Sequence, residues 1–147
     1  MMKLLTKDWK HSKDLGILIF RLVFGFILLY GHGFGKLSVI YSGEEIQFLD
    51  PIGIGTNLSF YLAAFAEGIC AILLILGLFT RPAAAILTIN FIVIVGHHFG
   101  DGFALLESRL FYLLSYVALT IAGGGFFSLD RLLFKDRTKS TKTAKLA

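Results

Sequence analysis

Four apolar stretches, each about as long as a membrane-spanning helix, take up most of the sequence. They predict helices over about 15–34, 58–79, 82–99 and 109–127, and an α-helix needs ~20 residues to cross the hydrocarbon layer of a bilayer. The chain is 56% hydrophobic and 16% charged, whereas a soluble domain is about 25% charged. The sequence therefore predicts an all-α integral membrane protein, an antiparallel four-transmembrane-helix bundle with no room for a separate soluble domain.

Charge is distributed unevenly along the chain. Four lysines precede residue 14 and six basic residues follow residue 130, while the outer loop predicted over 35–57 holds three acidic residues and one lysine. Because lysine and arginine mark the cytoplasmic side, both termini are predicted to be cytoplasmic. This gives a cytoplasmic N-terminal segment 1–14, a membrane domain 15–131 and a basic cytoplasmic tail 132–147. Anionic lipid head groups, rather than nucleic acid, are the partners expected for the basic ends.

Glycines are concentrated in the second half of the first helix. Gly25, Gly31, Gly33 and Gly35 lower helix propensity, but they let membrane helices approach each other closely. We expect Gly33 and Gly35 to end the first helix, so that the chain continues from there as the outer loop.

Among the residues of the predicted spans, Glu67 carries the largest free-energy cost of burial in the bilayer. It lies about ten residues into the second helix, near the bilayer centre. A carboxyl group at that depth must be protonated, hydrogen-bonded or paired. It either joins two helices as a neutral acid, or acts as a proton carrier or as the counter-ion of Arg21 or a histidine. Arg21, two turns into the first helix, either extends its side chain to the inner surface or turns inward to meet Glu67.

In an antiparallel bundle the outer helix ends bring further polar side chains together above Glu67. This predicts a polar column that is open at the outer face and suits a small molecule with a polar head. His97 and His98 point about 100° apart on a helix, so only one is expected to face the bundle well. The candidates for proton transfer are Glu67, His97 and His98. The candidates for substrate binding are Arg21, His32, Lys36, Asn90 and Arg109. No metal site is predicted.

Several short motifs, in this order and spacing, resemble the DoxX family of bacterial membrane proteins. They are Arg21-Leu-Val-Phe-Gly25, His32-Gly-Phe-Gly-Lys36-Leu37, Glu67 followed by Leu-Leu-Ile-Leu-Gly77-Leu-Phe-Thr80-Arg81, the histidines ending the third helix, and Ser128-Leu129-Asp130. The resemblance covers about 15–131. It implies a four-helix protein of the bacterial cytoplasmic (inner) membrane, whose best-described relatives are subunits of thiosulfate:quinone oxidoreductase.

The main functional hypothesis is a subunit of a membrane redox system, with a redox partner subunit, that binds a quinone or a small polar substrate in the outward-facing polar cavity. The alternative is a non-catalytic membrane partner or scaffold subunit, and a small-molecule transporter, which would have to be a homo-oligomer, is less favoured. Haem between His32 and His97 or His98 is disfavoured, because interfacial histidines usually have simpler explanations. No covalently bound cofactor is expected, and the single cysteine, Cys70, excludes an intrachain disulfide.

Overall fold

The computed structural model describes residues 10–134 and contains four long helices in that part of the chain. They are α1 (Ser12–Ser42), α2 (Thr56–Leu76), α3 (Thr80–His97) and α4 (Phe103–Ala122), and each is long and apolar enough to cross a membrane. The start of α1 packs against the end of α2, and the short connections make α2, α3 and α4 successive antiparallel neighbours. The prediction of an all-α four-helix membrane protein is confirmed. Residues 1–9 of the predicted N-terminal segment and most of the predicted tail lie outside the described residues.

The bundle has two ends that differ in what they contain. At the end that we call the termini end lie the start of α1, the α2–α3 turn at 77–79 and the segment 123–134 that follows α4. At the opposite end, which we call the loop end, lie the long connection 43–55 and the short connection 98–102.

The first helix does not end at Gly33 or Gly35, so that prediction is wrong. Gly33 has an ordinary helical φ of −67°, and the helix continues to Ser42, where Gly43 ends it with a φ of +70°. Glycine ends a helix when its backbone turns left-handed, which Gly33 does not do. Lys36 is therefore part of α1, and the loop predicted over 35–57 is shorter. The fourth helix also begins earlier than predicted, at Phe103 rather than near Arg109.

Two π-helical turns interrupt the regular helices and pack against each other where α1 meets α2. One is Leu29–Gly33 in α1 and the other is Phe65–Cys70 in α2, and the two are in contact. A π-turn inserts one extra residue into the helix and rotates everything that follows it, and such turns are frequent at functional sites. They turn the side chains of the loop-end half of α1 and the middle of α2 toward each other.

Close packing of α1 on α2 depends on glycines at three points. A Cβ at Gly33 would lie 2.4 Å from the carbonyl oxygen of Glu67, one at Gly25 would lie 2.7 Å from Ile75, and one at Gly68 would meet Leu37 at 3.0 Å. By contrast, Gly31 and Gly35 have nothing within 4 Å of that position. The predicted role of glycine in helix approach therefore holds for Gly25 and Gly33 only.

At the termini end a buried arginine and an aspartate join three parts of the chain. The Arg21 side chain is 1% exposed and donates a hydrogen bond to the Phe127 carbonyl at 2.8 Å. Asp130 accepts hydrogen bonds from the backbone amides of Phe79 at 2.6 Å and Thr80 at 2.9 Å. These amides belong to the first turn of α3, which has no other side-chain cap within 10–134. Arg21 is therefore turned inward but serves to hold the segment after α4.

Replacing Asp130 should destabilise this end of the bundle. We expect Asp130→Ala to lower the free energy of unfolding by about 1–2 kcal/mol, because a carboxylate cap on a helix N-terminus is lost. Thermal unfolding in detergent measures the change. The control is Glu107→Ala, which removes an exposed carboxylate from α4, and equal effects of the two variants would contradict the capping role.

Candidate functional site

A cavity of about 460 Å³ opens at the loop end of the bundle, a size within the ~300–1,000 Å³ typical of small-molecule sites. Its wall comes from α1, α2, α3, α4 and the connection 43–55. The lining residues are His32, Lys36, Gln47, Phe48, Leu49, Pro51, Glu67, Phe91, Ile94, His97, His98, Leu105, Ser108, Arg109 and Tyr112. The structure thus brings six of the eight sequence-predicted site residues to one place: Glu67, His97, His98, His32, Lys36 and Arg109.

Glu67 joins three helices at the wall of this cavity. It is 3% exposed and lies on the π-turn of α2. Its Oε2 accepts a hydrogen bond from Lys36 Nζ of α1 at 2.6 Å, and its Oε1 accepts one from Asn90 Nδ2 of α3 at 3.0 Å. Short charge-assisted bonds of this kind are about twice as strong as neutral ones. Lys36, Glu67 and Asn90 therefore form one connected group, which we call the Glu67 cluster.

Pairing of Arg21 with Glu67, one of the alternatives left open by the sequence, is not what the structure contains. Lys36 is the partner of Glu67, and Arg21 lies twelve residues before Gly33 on α1, about 18 Å along the helix from the level of the Glu67 backbone. The sequence argument fails because it places Lys36 in a loop rather than on α1. Arg21 does not line the cavity, and Asn90 reaches it only through Glu67.

An aromatic stack forms another part of the cavity wall. The rings of Phe91 and Tyr112 stack with centroids 5.0 Å apart, and Tyr112 stacks on Tyr116 at 6.1 Å. Tyr116 is fully buried and donates a hydrogen bond to the Phe24 carbonyl at 3.2 Å. Because Tyr116 is fixed in this way, the two rings that line the cavity have a rigid support.

The histidines lie around the mouth of the cavity. His97 and His98 both line it, but His97 is exposed and His98 is half-buried. The helix α3 ends at His97, and His98 leaves helical geometry with a ψ of +15°. The ring of His98 contacts the Asp101 carboxylate through Nδ1 at 2.5 Å. His32 lies edge-on to Tyr112, with centroids 6.4 Å apart.

The connection 43–55 covers part of the cavity and is held in place by Asp50. The Asp50 carboxylate accepts hydrogen bonds from Ser59 Oγ at 2.8 Å, from the Gly55 amide at 2.7 Å and from the Ile54 amide at 3.0 Å. The Ser59 hydroxyl, followed by the Gly55 amide, holds the pKa of Asp50 below its usual value. Beside Asp50, Phe48 and Pro51 contribute to the cavity wall.

Comparison with known proteins identifies the family. The family model DoxX matches residues 16–99, more than half of the chain. The chain belongs to the DoxX family. No curated protein and no solved structure is significantly similar to the chain.

The DoxX match covers three of the four helices and all members of the Glu67 cluster, together with His32, His97 and His98. It ends before α4, which contributes Arg109 and Tyr112 to the cavity. Together, family and fold make this a multi-pass membrane protein whose exposed apolar helix faces contact lipid.

Sequence reasoning missed the aromatic wall and the loop residues of the site. Phe91 and Tyr112 belong to apolar stretches in which aromatic residues are common, so nothing in the sequence separates them from lipid-facing ones.

Arg109 is predicted at the mouth of the cavity, and it lies there with its Nη1 donating a hydrogen bond to the Leu105 carbonyl at 3.2 Å. Within residues 10–134 no group of three His, Cys, Asp or Glu side chains is placed to hold a metal ion.

Acid should release the connection 43–55 of this DoxX protein. Because the pKa of Asp50 is lowered in the fold, its stabilisation is complete above its ordinary pKa of about 3.9 and is lost as the pH falls through the lowered value. A bimane label on Glu45→Cys reports this change, since the native Cys70 is buried. We expect Asp50→Asn to abolish the titration and the neighbouring Glu44→Gln to leave it unchanged. A titration that follows Glu44 instead would contradict the role of Asp50.

Proposed function

We propose that this DoxX protein is a subunit of a redox system of the bacterial inner membrane and binds a quinone as substrate in the loop-end cavity. The observation that carries the proposal is the Glu67 cluster, a buried carboxyl group with two hydrogen-bonded partners, on the wall of a cavity that is also lined by aromatic rings. Buried ionisable residues in membrane proteins are costly and mark functional sites by default.

Three features of the cavity support a quinone ring as its ligand. Phe91 and Tyr112 present an aromatic face for stacking. The Lys36 ammonium group has three N–H donors, and one of them makes the hydrogen bond to Glu67. Another can therefore donate a hydrogen bond to a quinone carbonyl. Arg109 and the histidines are positioned at the mouth for the second carbonyl.

Reduction of a quinone to a quinol takes up two electrons and two protons. In this proposal the electrons come from an electron-donating partner subunit, and the residues of this chain handle the protons. Lys36 passes an ammonium proton to the Glu67 carboxylate, which gives it to the nearer carbonyl oxygen. His97 or His98 takes protons from water at the mouth, returns one to Lys36 and gives the other to the second carbonyl oxygen.

We infer the orientation in the membrane from the distribution of charge. We propose that the termini end faces the cytoplasm, because lysine and arginine are concentrated near both chain ends and the loop end holds Glu44, Glu45 and Asp50. The cavity would then open on the periplasmic side. Labelling of Ser42→Cys by a membrane-impermeant maleimide in spheroplasts tests this, and labelling only after lysis would contradict it.

Quinone binding to the purified protein in lipid nanodiscs tests the proposed function. We expect wild-type protein to bind, and Glu67→Gln to weaken binding by about tenfold or more, since hydrogen bonds to charged groups contribute ~1.5–3 kcal/mol. Glu107→Gln removes an exposed carboxylate of α4 and should leave affinity unchanged. Absence of binding by the wild type, with a stoichiometric protein companion in its place, would favour the scaffold alternative.

A further inference from the structure

A second hollow, of about 230 Å³, lies on the side of the bundle between α2 and α3. We call it the lateral groove. Twelve of its fifteen lining residues are apolar, and the three polar ones are Ser59, Glu67 and Asn90. Several of these side chains, among them Leu62, Phe65 and Ile89, are exposed on the outer surface of the helices, so the groove opens toward the lipid.

The three polar residues of the lateral groove are already occupied by other protein groups. Asn90 donates to Glu67, and Ser59 donates to Asp50. With so few polar residues, the groove offers a polar ligand little to bind, and a hydrocarbon suits its apolar lining. The chemistry of the groove selects a hydrocarbon.

The lateral groove and the loop-end cavity share a wall. Glu67, Phe48, Pro51 and Ile94 line both. The two oxygens of Glu67 divide between them, since Oε2 meets Lys36 of the cavity and Oε1 meets Asn90 of the groove. A ligand with a polar ring and an apolar chain would place the two parts on either side of this carboxyl group.

We propose that the lateral groove holds the first isoprenoid units of the tail of the quinone whose ring occupies the cavity. This inference rests on the proposed function and makes it more specific, because it assigns a prenylated, membrane-dissolved quinone as the substrate class. The substrate then enters sideways from the bilayer, between α2 and α3, rather than from water. The isoleucines of α3 and the loop residues Pro51 and Ile52 form the passage.

The test compares two quinones with the same ring, one without a tail and one with two isoprene units, in nanodiscs. Ile89→Trp fills the groove from α3, where Ile89 is 63% exposed. Ile92→Trp is the matched control, because Ile92 lies one turn away, is 55% exposed and does not line the groove. Each ligand is compared between proteins in the same lipid, so its partition into the bilayer cancels.

We expect Ile89→Trp to weaken binding of the tailed quinone about tenfold, or ~1.4 kcal/mol, and to leave the tail-less quinone unchanged. Ile92→Trp should change neither. Equal affinities of wild type and Ile89→Trp for the tailed quinone would overturn the inference while the proposed function stands. Failure of the wild type to bind even the tail-less quinone would overturn the proposed function itself.

Discussion

Replacing Lys36 with methionine is expected to destabilise the protein by about 3–5 kcal/mol. The change leaves the Glu67 carboxyl group, which is 3% exposed, without its cation, and breaking a buried ion pair from one side carries a cost of that size. The Lys36 side chain is itself only 16% exposed, and the bond it makes is 2.6 Å long. Unfolding in mixed micelles measures the free energy. Lys13→Met, an exposed lysine near the start of α1, is the control.

The double variant Lys36→Met/Glu67→Leu separates charge from packing. Substituting apolar side chains for both members of a buried pair is often neutral or stabilising, so most of the lost stability should return. Quinone affinity should not return, because the groups that contact the ring are absent. If the two single losses simply add in the double variant, the pair is not coupled and the account of the Glu67 cluster is wrong.

Gly33→Ala is the second large effect that the structure predicts. The new Cβ would lie 2.4 Å from the Glu67 carbonyl oxygen and 3.1 Å from its carbon, and backbone atoms in packed helices cannot move aside as a flexible side chain can. The helices α1 and α2 must separate, which costs about 1–3 kcal/mol and draws Lys36 away from Glu67. We expect loss of stability together with loss of quinone binding.

The control for this change is two residues away on the same helix. Gly35 has nothing within 4 Å of its missing Cβ, so Gly35→Ala should be neutral or stabilise by up to about 1 kcal/mol through helix propensity. Thermal unfolding and the quinone assay are run on both variants. Similar behaviour of Gly33→Ala and Gly35→Ala would contradict the close contact of the two π-turns.

The four helices could be predicted because the length of an apolar stretch is enough to specify a membrane span. The end of α1 could not be predicted, because a glycine can either terminate a helix or allow another helix to approach closely. Gly33 allows α2 to approach. The π-turns at Leu29–Gly33 and Phe65–Cys70 also escape prediction, because periodicity arguments assume 3.6 residues per turn throughout.

The candidate site was predictable to the extent that it depends on charge at depth. Glu67 is prominent in the sequence because few carboxyl groups occur within apolar stretches. The partner of Glu67 is not evident from the sequence, because the helix rotation that brings Lys36 to Glu67 depends on a π-turn and on the continuation of α1. Arg21 is an equally prominent charge in an apolar stretch, but it does not belong to the site. It is buried at the termini end, where it contacts Phe127.

The central claim, that a quinone ring lies between the Glu67 cluster and the aromatic wall, is tested most directly by photolabelling. A prenylated quinone with an azide on its ring is irradiated with the protein in nanodiscs, and the labelled peptides are identified by mass spectrometry. We predict labels near Lys36, on residues 91–98 and near Tyr112, all suppressed by excess unlabelled quinone. Labels spread over lipid-facing positions such as Ile19 and Ile121, without suppression, would contradict the account.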